Sequence, residues 1–307
     1  MIWLAAALGL IAASALGIAL VGARARRRGA LPIVPPELAA RLAAARAAFA
    51  DAAAWQPASA ADAPAAAAAI EAALIAGEPL RALELAEAAL ASALPPPGVG
   101  GAGSPAEGPG APVRVWLAWA LCASGQPRAA LDQLAKAGAP RGALAHYVMA
   151  RAGHLLFEHG HGATGAVPPL ITTGDLAVVT LGRGRGSAAW LAGSTDVQLS
   201  SAQVEAALAE HREVTARCLA GALDALDEAP GFADAAYLSA RLAVKAGLIG
   251  AARPLFDALA PRMIGRPDAA AFERDREDLA DPARALAAAR QKPPERGQRS
   301  RSLRVLP

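Results

Sequence analysis

Aromatic residues make up only 4% of this 307-residue chain, and cysteine occurs twice. The two cysteines, Cys122 and Cys218, each stand alone in an apolar stretch, and no CxxC pair occurs. That spacing argues against a zinc site of paired cysteines and against a thioredoxin-like centre, and it leaves two buried thiols. β-branched runs are scarce outside one short region, which argues against a sheet-based fold. The Lys-Ser/Thr of a phosphate-binding loop, a GxSxG elbow and an HExxH pair are all missing, and the alternating glycines of LGRGRGS at 181–187 are not GxGxxG and stand in no βαβ alternation. No motif of these kinds nominates a catalytic residue or a cofactor, and the expectation is a protein that is not an enzyme.

What is abundant is alanine, within a composition that is 54% hydrophobic and 19% charged. Alanine has the highest helix propensity and lets helices pack closely, so the fold class expected is all-α. The net charge of +3 hides an uneven distribution. Of the 30 basic side chains, four lie at Arg24, Arg26, Arg27 and Arg28 and seven lie beyond residue 283; of the 27 acidic ones only Glu295 lies there. The 19 basic and 26 acidic side chains of residues 29–283 leave the body at −7. An acidic body with basic ends does not suggest nucleic-acid binding.

Residues 2–22 carry no charge, and RARRR follows them. A run of that length matches the thickness of a bilayer core as a helix, and its basic residues follow rather than precede it. The expectation is a transmembrane anchor over 1–23 and a basic juxtamembrane linker over 24–36. A single-pass protein of the inner, cytoplasmic membrane follows, with its C-terminal domain cytoplasmic and Arg24–Arg28 near anionic lipid. A cleaved signal peptide on an exported repeat protein is the alternative.

A helical domain is expected over 37–290, interrupted by a Pro/Gly-rich flexible tether at 95–112 and by an insertion at 159–199. The insertion holds LAVVTL and SAAWLA on either side of Gly-Arg-Gly-Arg-Gly, the pattern of a small β-hairpin. Its apolar and basic residues, Val178, Val179, Leu181, Arg183, Arg185 and Trp190, are candidates for contact with a partner. Residues 291–307 form a basic tail without the makings of a core. The run AFERDREDLADP at 271–282 alternates in charge sign and reads as a solvated helix face or cap. His154, Glu158, His159 and His161 cluster in HLLFEHGHG. They support an alternative reading as a metal-binding enzyme, weighed against a solvated helix end.

Three segments align: LIAGEPLRALELAEAALASALP at 74–95, LCASGQPRAALDQLAKAGAP at 121–140 and AVKAGLIGAARPLFDALAP at 243–261. Each places Gly at a bend (Gly77, Gly125, Gly247) and Ala five residues later (Ala82, Ala130, Ala252), with Pro at its end. Trp116 and Tyr237 precede the second and third bends. This pattern resembles the tetratricopeptide-repeat family, whose period is about 34 residues. The resemblance implies helical hairpins stacked into a solenoid, with a partner protein or peptide held in the concave groove. The spacing departs from the family period: Gly77 to Gly125 is 48 residues and Gly125 to Gly247 is 122. The tether accounts for most of the first excess. The second requires a hairpin split by the insertion, with 142–158 as its first helix and 200–229 as its second. The function expected is thus a membrane-anchored scaffold or adaptor.

Overall fold

The computed structural model describes residues 35–94, 110–138, 141–160 and 201–280. The chain divides into two compact units. One comprises Met1–Ile33 and Thr173–Ala209, of which only the helical backbone of 201–209 is described. The other comprises Val34–Thr172 and Glu210–Pro307 and holds the architecture that follows.

Ten α-helices account for most of the described residues, and no β-strand occurs among them. They are α1 (Pro36–Asp51), α2 (Ala67–Ile75), α3 (Pro79–Ala93), α4 (Ala111–Ala123), α5 (Pro127–Ala137), α6 (Ala143–Gly160), α7 (Ser201–Glu228), α8 (Ala233–Lys245), α9 (Ile249–Met263) and α10 (Ala269–Ala280). The all-α class is therefore observed. The expected boundaries shift in two places. Gly110 and Pro112, assigned to the tether, form the entry to α4, and His159–Gly160, assigned to the insertion, complete α6. Residues 95–109, 161–200 and 281–307 lie outside the described residues.

Three hairpins, α2–α3, α4–α5 and α8–α9, are built on one local device. At each bend a glycine takes a positive φ: 73° at Gly77, 77° at Gly125 and 83° at Gly247. That conformation is open to glycine without the clash a Cβ introduces. The hydrogen bonds repeat as well. Gly77 N–H donates to Leu74 O and Glu78 N–H to Ala73 O. Gly125 and Gln126 bond in the same way to Cys122 and Leu121, and Gly247 and Leu248 to Val244 and Ala243. These are Schellman motifs, which satisfy the last carbonyls of the first helix. Pro79 and Pro127 then open α3 and α5 at the first position, where their missing N–H costs nothing. Ala82, Ala130 and Ala252 are fully buried one turn into each second helix, where a larger side chain would hold the two helices apart.

The first helices also touch one another in sequence, α2 with α4, α4 with α6 and α6 with α8. They form one contiguous series. α6 packs antiparallel against α7 through small residues. A Cβ on Gly153 would sit 3.4 Å from Cys218 Sγ, one on Gly221 would sit 3.4 Å from Ala150 Cβ, and His146 Nε2 lies 3.4 Å from Glu228 at the far end.

α1 does not stand at the head of this series. Its stripe of Leu38, Leu42, Ala45 and Phe49 is buried, and the helix packs against α8 and α9. Arg262, near the end of α9, donates to Phe49 O (3.0 Å) and Ala52 O (2.6 Å), the free carbonyls at the C-terminal end of α1. Its guanidinium lies 4.1 Å from the centre of the Phe49 ring. Arg41 of α1 meanwhile pairs with Asp224 and Asp227 of α7. The chain leaves α1 against Gly231, whose hydrogen faces Ala53 O so closely that a Cβ there would lie 1.8 Å from it. Trp55 N–H donates to Gly231 O at 3.1 Å, and the Trp55 ring meets Phe232 edge-on at 4.8 Å.

The expectation of a single-pass protein in the cytoplasmic membrane is corrected: among the described residues no helix is long and apolar enough to cross a membrane. Two helices reach the required length, and both are too polar. α7 carries Glu205, Glu210, Arg212, Glu213, Arg217, Asp224, Asp227 and Glu228, and α6 carries Arg151, Glu158 and three histidines. Residues 2–22 and Arg24–Arg28, on which the bilayer and anionic-lipid expectations rest, lie outside the described residues.

Candidate functional site

Along α6, Tyr147, Arg151, His154 and Glu158 recur at i, i+4, i+7 and i+11, a spacing that places them on one helix face. An amphipathic helix that buries one face fills it with apolar side chains, so a polar row on a buried face is a departure. α8 carries Asp234, Leu238, Arg241 and Lys245 at the same intervals. The two helices are neighbours and run in the same direction. Tyr147 meets Phe232 just before α8, with ring centroids 5.0 Å apart, and Glu158 meets Lys245 near the other end, with Nζ 3.0 Å from Oε1. The Glu158–Lys245 pair joins the two rows in a polar seam.

At the Lys245 end the seam is closed to solvent. The side chains of Lys245 and Glu158 are 1% and 3% exposed, and His154 Nδ1 lies 3.9 Å from the same Glu158 oxygen. At the Tyr147 end, Tyr147 accepts a hydrogen bond from the half-buried Arg151. Both carboxylate oxygens of Asp234 accept from Arg266 Nη2 at 2.7 Å. Arg241, at the third position of the α8 row, is paired with α10 instead: its Nε lies 3.3 Å from Asp275 Oδ2, which also accepts from the Tyr237 hydroxyl at 2.7 Å. A buried ion pair adds little net stability, but removing one partner costs about 3–5 kcal/mol. The seam therefore fixes the register of α6 on α8, because sliding by one turn separates Glu158 from Lys245.

Burial sets the proton affinities here. It raises the Tyr147 phenol, with Arg151 opposing it only in part, so the group stays protonated. It raises the Asp275 carboxyl against the opposing pull of Arg241 and the Tyr237 hydroxyl. Glu71, on α2, is raised by burial too, although it accepts a hydrogen bond from Ala58 N–H at 2.9 Å. The thiols are pushed up by burial, Cys122 to about 12 and Cys218 to about 11, and neither has the depressed value a nucleophile needs.

His154 and Glu158, expected at a solvated helix end, are both buried. α8 brings Lys245 onto the Glu158 carboxylate, and an ammonium there takes the place a cation would fill. The His159 side chain and His161 lie outside the described residues, and no group of three or more His, Cys, Asp and Glu able to hold a metal occurs among the described residues. Val178, Val179, Leu181, Arg183, Arg185 and Trp190 also lie outside the described residues. Gly77, Gly125 and Gly247 stand at the three bends, and Ala82, Ala130 and Ala252 at the helix contacts beside them.

Sequence reasoning missed Arg151, Asp234, Lys245 and Arg266. The polar row on α6 was visible as spacing, but its partners lie almost ninety residues away and only the fold pairs them. Asp275 was read as part of a solvated face, yet it is fully buried. No protein family, characterised protein or solved structure matches the chain.

Proposed function

We propose that the chain is an adaptor of the tetratricopeptide-repeat type, which holds a segment of a partner protein against its series of first helices. The observation that carries this reading is the threefold recurrence of one bend, with the same hydrogen bonds and the same buried alanine, beneath first helices that contact one another in order. Such an arrangement presents a continuous inner surface made from successive hairpins, and recognition needs no catalytic group. The polar seam supplies specificity on that surface: Arg151 is half-buried beside Tyr147, and a desolvated guanidinium is a strong anchor for a carboxylate or a backbone carbonyl.

The test is selection of random displayed peptides on the full chain, followed by binding of the enriched peptides to Arg151→Glu. The reading expects affinity to fall by about tenfold or more, the size of one anchor residue, measured at a temperature at which both proteins are folded. Peptides that bind both proteins alike, or a selection that enriches nothing, would overturn it.

A further inference from the structure

α10 combines a charge-rich sequence with a buried face. Phe272, Asp275 and Leu279 are 0%, 0% and 5% exposed, at positions i, i+3 and i+7, while Glu273, Arg274 and Glu277 face solvent. The buried face lies on the last hairpin. Phe272 meets Tyr237 of α8 edge-on at 5.5 Å and stacks on Phe256 of α9 at 5.7 Å. Asp275 accepts from the Tyr237 hydroxyl at 2.7 Å with Arg241 beside it, and Arg253 of α9 donates to Leu279 O at 2.9 Å. The hairpin thus offers an aromatic wall, a hydroxyl with a guanidinium for one carboxylate, and a second guanidinium for the end of a helix.

We propose that α8 and α9 form a helix-docking groove that reads Phe, Asp and Leu at positions 0, +3 and +7. α10 is its resident, exchangeable occupant, and a partner helix of the same chemistry displaces it. The groove belongs to the last hairpin alone, so it stands or falls separately from recognition by the series of first helices. Two features make α10 separable. It hangs from a short connection in which Ile264 is 82% exposed and Gly265 takes a φ of 75°. Its central contact buries a carboxylate, which confers selectivity while contributing little net stability. An aromatic anchor beside a fully desolvated charge is also the composition of an interface hot spot, and a helix laid in a groove is a recurrent mode of recognition.

The probe is a fluorescently labelled peptide spanning residues 268–281, added to the full-length chain and followed by anisotropy. The double variant Phe272→Ala, Asp275→Ala, whose own α10 no longer competes, is expected to bind the peptide at least about tenfold more tightly than the unaltered chain. Peptides carrying Phe272→Ala or Asp275→Asn are expected to lose about tenfold or more on that variant. Equal binding by variant and unaltered chain, or by altered and unaltered peptides, overturns the proposal. A second measurement needs no substitution: in the unaltered chain, amide hydrogens of 269–280 should exchange faster than those of 233–245. Equal protection would show that α10 is inseparable from the hairpin and would also overturn the proposal. A concentration-dependent dimer of the unaltered chain, abolished by Phe272→Ala, would identify a second copy as the occupant and refute the partner helix.

Discussion

The first hairpin, α2–α3, and the last, α8–α9, share a bend and differ in almost everything packed around it. α2–α3 buries small side chains, Ala67, Ala73, Ala82 and Ala86, with Ile70 the largest, and leaves Leu80 67% exposed. α8–α9 buries Tyr237, Leu242, Leu255, Phe256 and Leu259 and receives both α1 and α10. Their backbones at Gly77 and Gly247 are nevertheless the same, with matching φ and matching hydrogen bonds. The bend is therefore set locally, by glycine and the carbonyls it satisfies, whereas stability is set by what the helices cover. One hairpin is a link in a series and the other is the centre onto which both ends of the described chain fold.

The largest blow to that contrast is expected from Gly231→Ala, at the entrance to the last hairpin. The added Cβ would meet Ala53 O at 1.8 Å and Trp55 N at 2.9 Å, so the backbone must move and α1 must leave its seat. A loss of about 3 kcal/mol or more is expected, the upper range for overpacking, measured by urea unfolding. Phe256→Ala should come next, at about 3–5 kcal/mol for a fully buried aromatic. Leu83→Ala in α3, where the leucine is only half-buried, should cost distinctly less, and equal costs would erase the contrast between the hairpins. Alanine at Gly77, Gly125 or Gly247 should cost about 1–2 kcal/mol at each, whatever lies around the bend, because the penalty arises from the left-handed backbone alone. Widely different costs at the three bends would show that the bend is not local.

The smallest effect concerns protons. Burial raises the Asp275 carboxyl above its ordinary value of 3.8, so the folded chain holds that proton more tightly than the unfolded chain does. The linkage follows: this contribution to stability is present at low pH and is lost as pH rises from 3.8 through the raised pKa. Asp275→Asn should remove that decline, making stability against pH flatter over the window, while the decline from Glu71 in the first hairpin persists. An unchanged slope in urea melts across that window would refute the assignment.

The elements legible in the sequence are those whose causes are local. Helix ends at Gly77, Gly125 and Gly247, and helix starts at Pro79 and Pro127, were readable because each depends on a few neighbouring residues. The seam was not readable as a seam. Tyr147, Arg151, His154 and Glu158 show their spacing in one helix, but nothing in that segment says that Asp234 and Lys245 will face it. Alternating charge misled at Asp275 for the converse reason: such a pattern marks a solvated helix unless a distant element supplies a hydroxyl and a guanidinium, as α8 does. The docking of α1 onto the last hairpin had no local signal at all, since Arg262 and the carbonyls it caps are more than two hundred positions apart.

That last separation has a consequence during synthesis. Arg262 stands 213 positions after Phe49, whose carbonyl it caps. At about 5–20 residues per second, the nascent chain carries α1 for on the order of 10–40 s before its seat on α9 has been translated. Throughout that interval Leu38, Leu42, Ala45 and Phe49 lack the α9 face against which the folded chain buries them. The middle hairpins can assemble in order as they emerge, whereas the seat of α1 is complete only once α9 has been made.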